Sequence, residues 1–193
     1  MAADRSSLPH WDLSNVYPGL ESEDFKKDAD LLRRQLTELD ELLARERVAR
    51  VTRVPDDAAG VAQVMEEVLG RFNEMTPLLA TMVAYVHSFI ATDSYNKLAA
   101  RILSELEQLE VQFNKQITRF QAWAGSLGSM LDSICERSPA AADHRLVLED
   151  YVERSRYLMD TDLEDLAAEL MVSGGGAVWK LQGTVTSQLK AAI

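Results

Sequence analysis

The sequence predicts an all-α protein, a multi-helix up-and-down bundle with long antiparallel helices. Apolar residues recur at steps of three and four over several long segments, which is the period of a helix buried on one side. No segment alternates apolar and polar residues for long enough to indicate a strand. Turn and capping residues separate the segments, so we expect six or seven helices joined by short turns.

The length and composition of the chain suit a globular protein with one good core. It has 193 residues, of which 47% are hydrophobic, and this content excludes a disordered chain. We predict three parts. Residues 1–20 form a docked N-terminal arm, residues 21–172 form a helical bundle domain, and residues 173–193 form a glycine hinge and the start of a further helix.

The charge and the cysteine content limit which binding partners and which cellular compartment we expect for the protein. The formal net charge is −11, from 31 acidic and 20 basic residues, so most of the surface would repel phosphate groups and nucleic acid is not an expected partner. The N-terminal residues contain no apolar run of the length that a secretory signal needs. The single cysteine, Cys135, cannot form an intrachain disulfide. These observations predict a cytoplasmic protein.

The N-terminal arm is predicted from a dense group of large side chains. Trp11, Leu13, Val16 and Tyr17 lie between two prolines. A free tail would not carry this density of large side chains, so we expect the arm to pack on the bundle.

The first long helix is predicted to begin after Ser22, whose side chain can cap it. Glu23 and Asp24 follow, and both are favourable near the positive end of the helix dipole. The apolar residues that come next form a narrow seam, with charges on the other faces. They are Phe25, Ala29, Leu32, Leu36, Leu39 and Leu43.

The second helix is predicted to be the most buried. Residues 55–57, Pro-Asp-Asp, end the first helix and can cap this one. The helix leads into residues 75–92, which contain no charged side chain although charged residues make up 26% of the chain. Its apolar residues extend almost all the way round, so we expect other helices to enclose it. Pro77 is predicted to kink or briefly break it.

A membrane span is the alternative interpretation of residues 75–92, because eighteen residues could just cross a bilayer. The stretch contains Pro77, His87 and several hydroxyl groups, and it is flanked by Glu74 and Asp93 rather than by Lys or Arg. A core helix of a soluble protein is the stronger interpretation, and no membrane partner is expected.

The third long helix is predicted to follow Thr92 and Asp93, which end the second helix and cap this one. Its apolar residues recur with a period of about 3.67, which keeps one stripe in place on a nearly straight helix. The helix is predicted to end near Gly125. The stripe consists of Leu98, Ile102, Leu106, Leu109, Phe113, Ile117 and Phe120.

Further helices are predicted from their start signals. Ser138 and Pro139 are typical of a cap and a first helical residue, and a helix follows through residues 146–152. Thr161 and Glu164 fit a capping box before the apolar residues Leu163, Leu166, Leu170 and Met171. Ser-Gly-Gly-Gly at residues 173–176 then interrupts the pattern. The last helix carries an apolar stripe of Val178, Leu181, Val185 and Leu189.

No residue pattern indicates a catalytic centre or a metal site. His10, His87 and His144 lack partners at metal-ligand spacing, and His87 is predicted to be a hydrogen-bonded core residue. Cys135 is predicted to be a partly buried thiol rather than a nucleophile. The glycines of residues 174–176 are predicted to form a flexible hinge, because the alternative of an anion site lacks the lysine and hydroxyl of a phosphate loop.

Four pieces of sequence, in order from residue 10 onwards, are similar to one known family. The first three are His-Trp-Asp-Leu-Ser-Asn-Val-Tyr-Pro at residues 10–18, Thr-Asp at residues 92–93 before a long helix, and Arg-Phe-Gln-Ala-Trp at residues 119–123. The fourth begins with Leu-Glu-Asp-Leu at residues 163–166. It continues through Glu-Leu at 169–170 and Gly-Gly at 174–175 to Ala-Val-Trp-Lys-Leu at 177–181. In their order and spacing these pieces resemble the N-terminal half of oligoendopeptidase F, a thimet-oligopeptidase-like zinc metallopeptidase.

The resemblance implies a domain or fragment of a cytoplasmic, mostly helical zinc metallopeptidase that cuts oligopeptides inside a channel. In that family a His-Glu-x-x-His segment and a later glutamate hold the zinc in the C-terminal half, and no residue here matches them. The resemblance therefore assigns no catalytic and no metal-binding residue to this chain. It implies one wall of the channel, no bound zinc and no peptide cleavage by the chain alone. The apolar end at Ile193 would be a cut before the missing catalytic domain.

The alternative function is a non-enzymatic interaction module. An acidic helical bundle can bind partner helices along an apolar seam, for example the seam of residues 25–43. If a catalytic half is missing, part of the stripe on the last helix lacks its partner. The last helix could then fold back across the hinge of residues 174–176, or a second copy of the chain could cover the stripe in a homodimer. We expect the homodimer, because a two-fold contact covers an exposed stripe most simply.

Overall fold

Three long helices form the centre of the structure, a computed structural model that describes residues 12–189. They are α1 (Glu23–Arg45), α2 (Ala58–Thr92) and α3 (Lys97–Ser126). Arg45 of α1 contacts Glu67 of α2, and Glu38 contacts Arg71, so these two helices are antiparallel. The short turn of residues 93–96 reverses the chain again into α3. The predicted all-α bundle is confirmed.

Five shorter helices follow α3. They are α4 (Leu131–Cys135), α5 (Pro139–Asp143), α6 (Arg145–Arg154), α7 (Thr161–Ser173) and α8 (Gly175–Gln188). Helices α4 and α5 have only five residues each, too few to show an apolar period in the sequence. No strand occurs within residues 12–189.

The seams predicted on α1 and α3 form the core of the bundle. All six apolar residues of the α1 seam are buried. On α3, Phe120 is fully buried, and its ring packs edge-on against Phe72 of α2 and Tyr151 of α6. The protein's own helices therefore occupy the α1 seam. The interaction-module alternative supposed that a partner helix could bind this seam. A partner helix cannot bind there, because the seam is already buried within the protein.

Three of the predicted helix caps are present. In each, a side-chain oxygen of the cap accepts a hydrogen bond from a backbone N–H in the first turn. The caps are Ser22 for α1, Asp57 for α2 and Ser138 for α5, and their distances to the backbone nitrogen are 3.3, 2.9 and 3.0 Å.

Two other predicted caps are wrong by a few residues. Asn96, rather than Asp93, caps α3 by accepting from the backbone N–H of Ala99 at 3.0 Å. Thr161 is the first residue of α7 rather than its cap. The carboxylate of Glu164 instead accepts from the backbone N–H of Met159 at 2.8 Å. In both places more than one residue could cap, and the path of the preceding turn decides which one does.

Helix α2 is not enclosed by other helices, which corrects the prediction. Its buried side chains lie on one side, and the opposite side is exposed, including His87, which is not a core histidine. The other exposed residues in the uncharged stretch are small or polar: Thr76, Pro77, Ala80, Thr81, Ala84, Ala91 and Thr92. Small side chains expose little apolar area, so the absence of charge did not require burial.

Pro77 lies inside α2 without breaking the helix, which is continuous from Ala58 to Thr92. The predicted short break is therefore wrong, and a kink stays a prediction. Pro77 has no N–H to bond the carbonyl of Asn73. Both residues are on the exposed side, where water can bond that carbonyl instead.

Helix α2 is long and apolar enough to cross a membrane when only length and composition are considered. An 18-residue window has a mean hydropathy of 1.3, and 28% of it is buried inside the structure. Core helices of soluble proteins pass the same test. The property therefore does not place this protein at a membrane.

The C-terminus of α1 ends in a Schellman motif built on an arginine. Arg47 has a φ of 54°, the left-handed conformation that glycine usually supplies. The N–H of Val48 donates to the carbonyl of Leu43 at 2.8 Å, and the N–H of Arg47 donates to the carbonyl of Ala44 at 3.2 Å. Val48 and Leu43 are both fully buried, which adds the hydrophobic contact typical of this motif.

Replacing Arg47 with glycine is expected to stabilise the protein by about 0.5–1 kcal/mol. Glycine removes a left-handed backbone cost of about 1–2 kcal/mol, which exceeds its cost in the unfolded chain. Urea denaturation measures the change. The matched control is Arg34→Gly on the exposed side of α1, which is expected to destabilise by about 1 kcal/mol. Equal losses in the two variants would contradict the account of Arg47.

Candidate functional site

Titratable side chains do not converge in the part of the chain that the structure describes. No group of three or more His, Cys, Asp or Glu residues that could hold a metal ion occurs within residues 12–189. His87 is exposed on α2, and a ring nitrogen of His144 contacts the Asn73 Oδ1 at 2.8 Å. His10 lies outside the described residues.

Cys135 is a half-buried thiol, as predicted. Its Sγ donates to the carbonyl oxygen of Ala141 at 3.5 Å. Burial raises the pKa of the thiol above its ordinary value, so the reactive thiolate is disfavoured. This environment does not suit a nucleophile.

Helix α7 and the start of α8 lie along α3 and run in the opposite direction. The Nζ of Lys115 contacts a carboxylate oxygen of Glu169 at 2.7 Å, and Lys180 contacts Glu107. From the first contact to the second, the residue number rises from 169 to 180 on α7 and α8 and falls from 115 to 107 on α3. The pairing is therefore antiparallel. The side of α7 and α8 that meets α3 includes the half-buried residues Ala168, Val172 and Gly176, with Met171 and Lys180 beside them.

The opposite side of α7 and α8 forms an exposed apolar surface. No residue of either helix is buried. Seven large apolar residues at helical spacing are 51–73% exposed. We call them the α7–α8 face: Leu163, Leu166, Leu170, Val178, Leu181, Val185 and Leu189.

The last four residues of the α7–α8 face were predicted to be exposed at least in part, and this prediction is confirmed. The contribution of α7 was missed, because its apolar residues were assigned to the bundle domain. The available signal was the spacing of Leu163, Leu166 and Leu170, which matches that of the stripe on α8.

A single residue, Gly174, separates α7 from α8. Its N–H donates to the carbonyl of Leu170 at 2.8 Å, and its carbonyl accepts from the N–H of Val178 at 3.1 Å. A Cβ at Gly174 would lie 2.8 Å from the Leu170 carbonyl oxygen, and one at Gly176 would lie 2.9 Å from that of Met171. A side chain at residue 174 or 176 would therefore collide with a backbone carbonyl oxygen, which explains why both residues are glycine. Flexibility of the hinge stays a prediction.

Arg119 links α3 to the end of α1. Its Nε donates to the carbonyl of Val48 at 2.7 Å, and its Nη2 donates to the carbonyl of Leu43 at 3.0 Å. Its Nη1 lies 3.5 Å from a carboxylate oxygen of Asp40. The guanidinium thus hydrogen-bonds the backbone carbonyls of both residues that form the hydrophobic contact of the Schellman motif. Spacing could not predict this role, because the acceptors are backbone carbonyls.

An open polar cleft of about 460 Å³ lies beside Arg119, between α1, α3 and the start of α7. Gln116 contributes to its lining and donates from Nε2 to the carbonyl of Leu36 at 2.8 Å. The Oε1 of Gln116 is buried with no partner among the described residues. Because that oxygen is closed off from solvent, a ligand in the cleft does not reach it.

The described part of the N-terminal arm packs on α1 and α2 through Tyr17. Its hydroxyl donates to a carboxylate oxygen of Asp28 at 2.7 Å, and the hydroxyl of Tyr85 donates to the carbonyl oxygen of Tyr17 at 2.9 Å. The Tyr17 ring packs edge-on against Phe25 and Tyr85. Trp11, which was also predicted to dock, lies outside the described residues.

Stability is expected to fall above pH 10, in part through Tyr17. Burial, then the hydrogen bond and charge of Asp28, and then Tyr85 raise the pKa of Tyr17 above its ordinary value near 10. The unfolded state therefore loses this proton first. The contribution of Tyr17 is fully present below pH 10 and is lost as the pH rises through the pKa of the folded state.

Urea denaturation between pH 8 and about pH 11.5 tests the role of Tyr17. The slope of the unfolding free energy against pH is expected to be shallower in Tyr17→Phe, by up to about 1.4 kcal/mol per pH unit, the value for one proton. Tyr157, which is 80% exposed, provides the matched Tyr→Phe control, with the slope of the wild type. Identical slopes in all three proteins would contradict the account of Tyr17.

No protein-family model, no curated protein and no solved structure matches this chain. The candidate site therefore rests on the geometry of the described residues. Among them, the α7–α8 face is the feature that the fold itself leaves without a packing partner. It is the candidate functional site.

Proposed function

We propose that this chain is the N-terminal helical portion of an oligoendopeptidase F-like zinc metallopeptidase, and that it forms one wall of the channel in which the parent enzyme hydrolyses oligopeptides. The observation that carries the proposal is the α7–α8 face. Five of its seven apolar residues lie within the stretch, residues 163–181, that resembles this family. The zinc and the catalytic centre belong to the catalytic domain of the parent protein.

The positions of the resembling pieces in the fold support the proposal. Tyr17 docks the arm, and Trp123 is 4% exposed in the core of α3. Arg119, from the same piece as Trp123, ties α3 to α1. These residues have clear structural roles within the bundle. The α7–α8 face has none, which is what a contact surface for a further domain requires.

The proposal divides the work of the enzyme between two parts. In the parent protein, zinc would polarise the scissile carbonyl and activate water. The proposal assigns no base, nucleophile or metal ligand to the residues of this chain. Their contribution is a rigid helical wall that limits access to short, flexible peptides, and a surface on which the catalytic domain packs.

The second candidate function is a helix-binding interaction module, with no enzymatic role. The observation that favours it is again the α7–α8 face, because an amphipathic partner helix could pack along it. The two functions differ in what covers the face. In the peptidase it is the catalytic domain of the same protein, and in the module it is a helix of another protein.

The reading frame of the gene beyond residue 193 tests the proposal. We expect it to continue into a domain with a His-Glu-x-x-His segment on a helix, followed by a further glutamate, the ligand set of a zinc peptidase. A stop codon directly after residue 193, or a continuation without this ligand set, would reject the peptidase and favour the module.

A further inference from the structure

The α7–α8 face is a continuous apolar surface. Its seven residues are 51–73% exposed. Seven neighbouring leucine and valine residues exposed to this degree form a patch on the order of several hundred Å². Apolar patches larger than a few hundred Å² are rare on soluble monomers, so a face of this size indicates a binding surface.

The spacing of the α7–α8 face is nearly symmetrical about Gly176. Leucines lie 13, 10 and 6 residues before this glycine, and branched apolar residues lie 5, 9 and 13 residues after it. Two copies packed antiparallel, with Gly176 of one opposite Gly176 of the other, therefore place large apolar residues opposite each other. The pairs are Leu163 with Leu189, Leu166 with Val185 and Leu170 with Leu181.

Charge on the two helices favours the same arrangement. The acidic residues of this segment are confined to α7, whereas α8 contains no acidic residue. Asp165 and Glu169 lie on the side towards α3, where Glu169 contacts Lys115, so the carboxylates nearest the face are Asp162 and Glu164, on either side of Leu163. Parallel pairing would bring these carboxylates of the two copies together, where like charges repel. Antiparallel pairing places each α7 beside an α8 without acidic residues.

We propose that this chain forms a two-fold symmetric homodimer through antiparallel pairing of its α7–α8 faces. The occupant of the face is a second copy because the spacing is self-complementary, which an isologous contact requires. The inference goes beyond the proposed function and stands without it. In a parent enzyme, the catalytic domain would compete with the second copy for the same face.

Sedimentation equilibrium over a wide concentration range tests the dimer. We expect the 193-residue chain to be a dimer that dissociates on dilution. The variant Val185→Glu with Leu189→Glu is expected to be monomeric with unchanged helical circular dichroism, because neither side chain is buried in the protomer. The control is Leu146→Glu, at a leucine of α6 that is 80% exposed and outside the face, which is expected to dimerise normally. A monomer at every concentration of the wild type overturns the proposal, and so does a dimer in the double variant.

Cysteine cross-linking tests the antiparallel register. In a Cys135→Ser background, a mixture of Leu170→Cys and Leu181→Cys chains is expected to form disulfide-linked dimers between the two variants. Leu170→Cys alone is expected to form few, because residues 170 of the two copies lie about 16 Å apart along the pair at 1.5 Å per residue, beyond the reach of a disulfide. Efficient self-linking of Leu170→Cys would show parallel pairing and overturn the proposed register.

Discussion

Replacing Phe120 with alanine is expected to lower the free energy of unfolding by about 3–5 kcal/mol. Phe120 is fully buried where α2, α3 and α6 meet, with ring centroids 5.3 Å from Phe72 and 6.2 Å from Tyr151. Its removal leaves a cavity that no single helix can fill by moving, because the ring contacts residues from three helices. Urea denaturation followed by circular dichroism measures the loss.

Phe89 provides the matched control for Phe120. It is half-buried near the C-terminal end of α2, and its ring packs edge-on against Tyr85. Phe89→Ala is expected to cost well under half as much as Phe120→Ala, because solvent already reaches the ring. Similar losses at the two positions would mean that the core is not centred where α2, α3 and α6 meet.

Replacing Arg119 with methionine is expected to destabilise the protein by about 2–4 kcal/mol. The substitution keeps much of the packing of the stem but removes the hydrogen bonds to the carbonyls of Val48 and Leu43, and hydrogen bonds from charged groups contribute about 1.5–3 kcal/mol each. Lysine at this position is expected to restore only part of the loss. A single ammonium group lacks the planar fork that bonds both carbonyls at once.

Arg53 serves as the control for Arg119. Its side chain is 88% exposed and lies 3.7 Å from Asp56, an exposed contact of little worth. Arg53→Met is expected to leave the free energy of unfolding unchanged within about 0.5 kcal/mol. If Arg119→Met were equally neutral, the link between α3 and the end of α1 would have no structural importance.

The long helices could be predicted from the sequence because their apolar periods are strong. The seam of α1 shows this, since leucines at steps of three and four had to face the core. The caps of α1, α2 and α5 were also predictable, because each depends on a bond between residues three apart in sequence.

Features that depend on tertiary contacts could not be predicted. The exposure of one side of α2 follows from how many helices pack around it, and its uncharged sequence did not reveal that number. The backbone acceptors of Arg119 lie in the last turn of α1 and just beyond it, a segment distant in sequence. The α7 part of the exposed face was missed for a similar reason, since an apolar stripe has the same spacing whether or not a partner covers it.

The most direct test of the proposed function is the zinc-dependent peptidase activity of the protein encoded by the whole reading frame. Two proteins are compared with a quenched fluorescent oligopeptide and by metal analysis: the whole protein and residues 1–193 alone. We expect the whole protein to bind one zinc ion and to cleave the peptide, with activity lost to a chelator and restored by zinc. We expect residues 1–193 alone to bind no stoichiometric zinc and to cleave nothing. A whole protein without zinc and without peptidase activity, or one zinc ion held tightly by residues 1–193, would contradict the proposal.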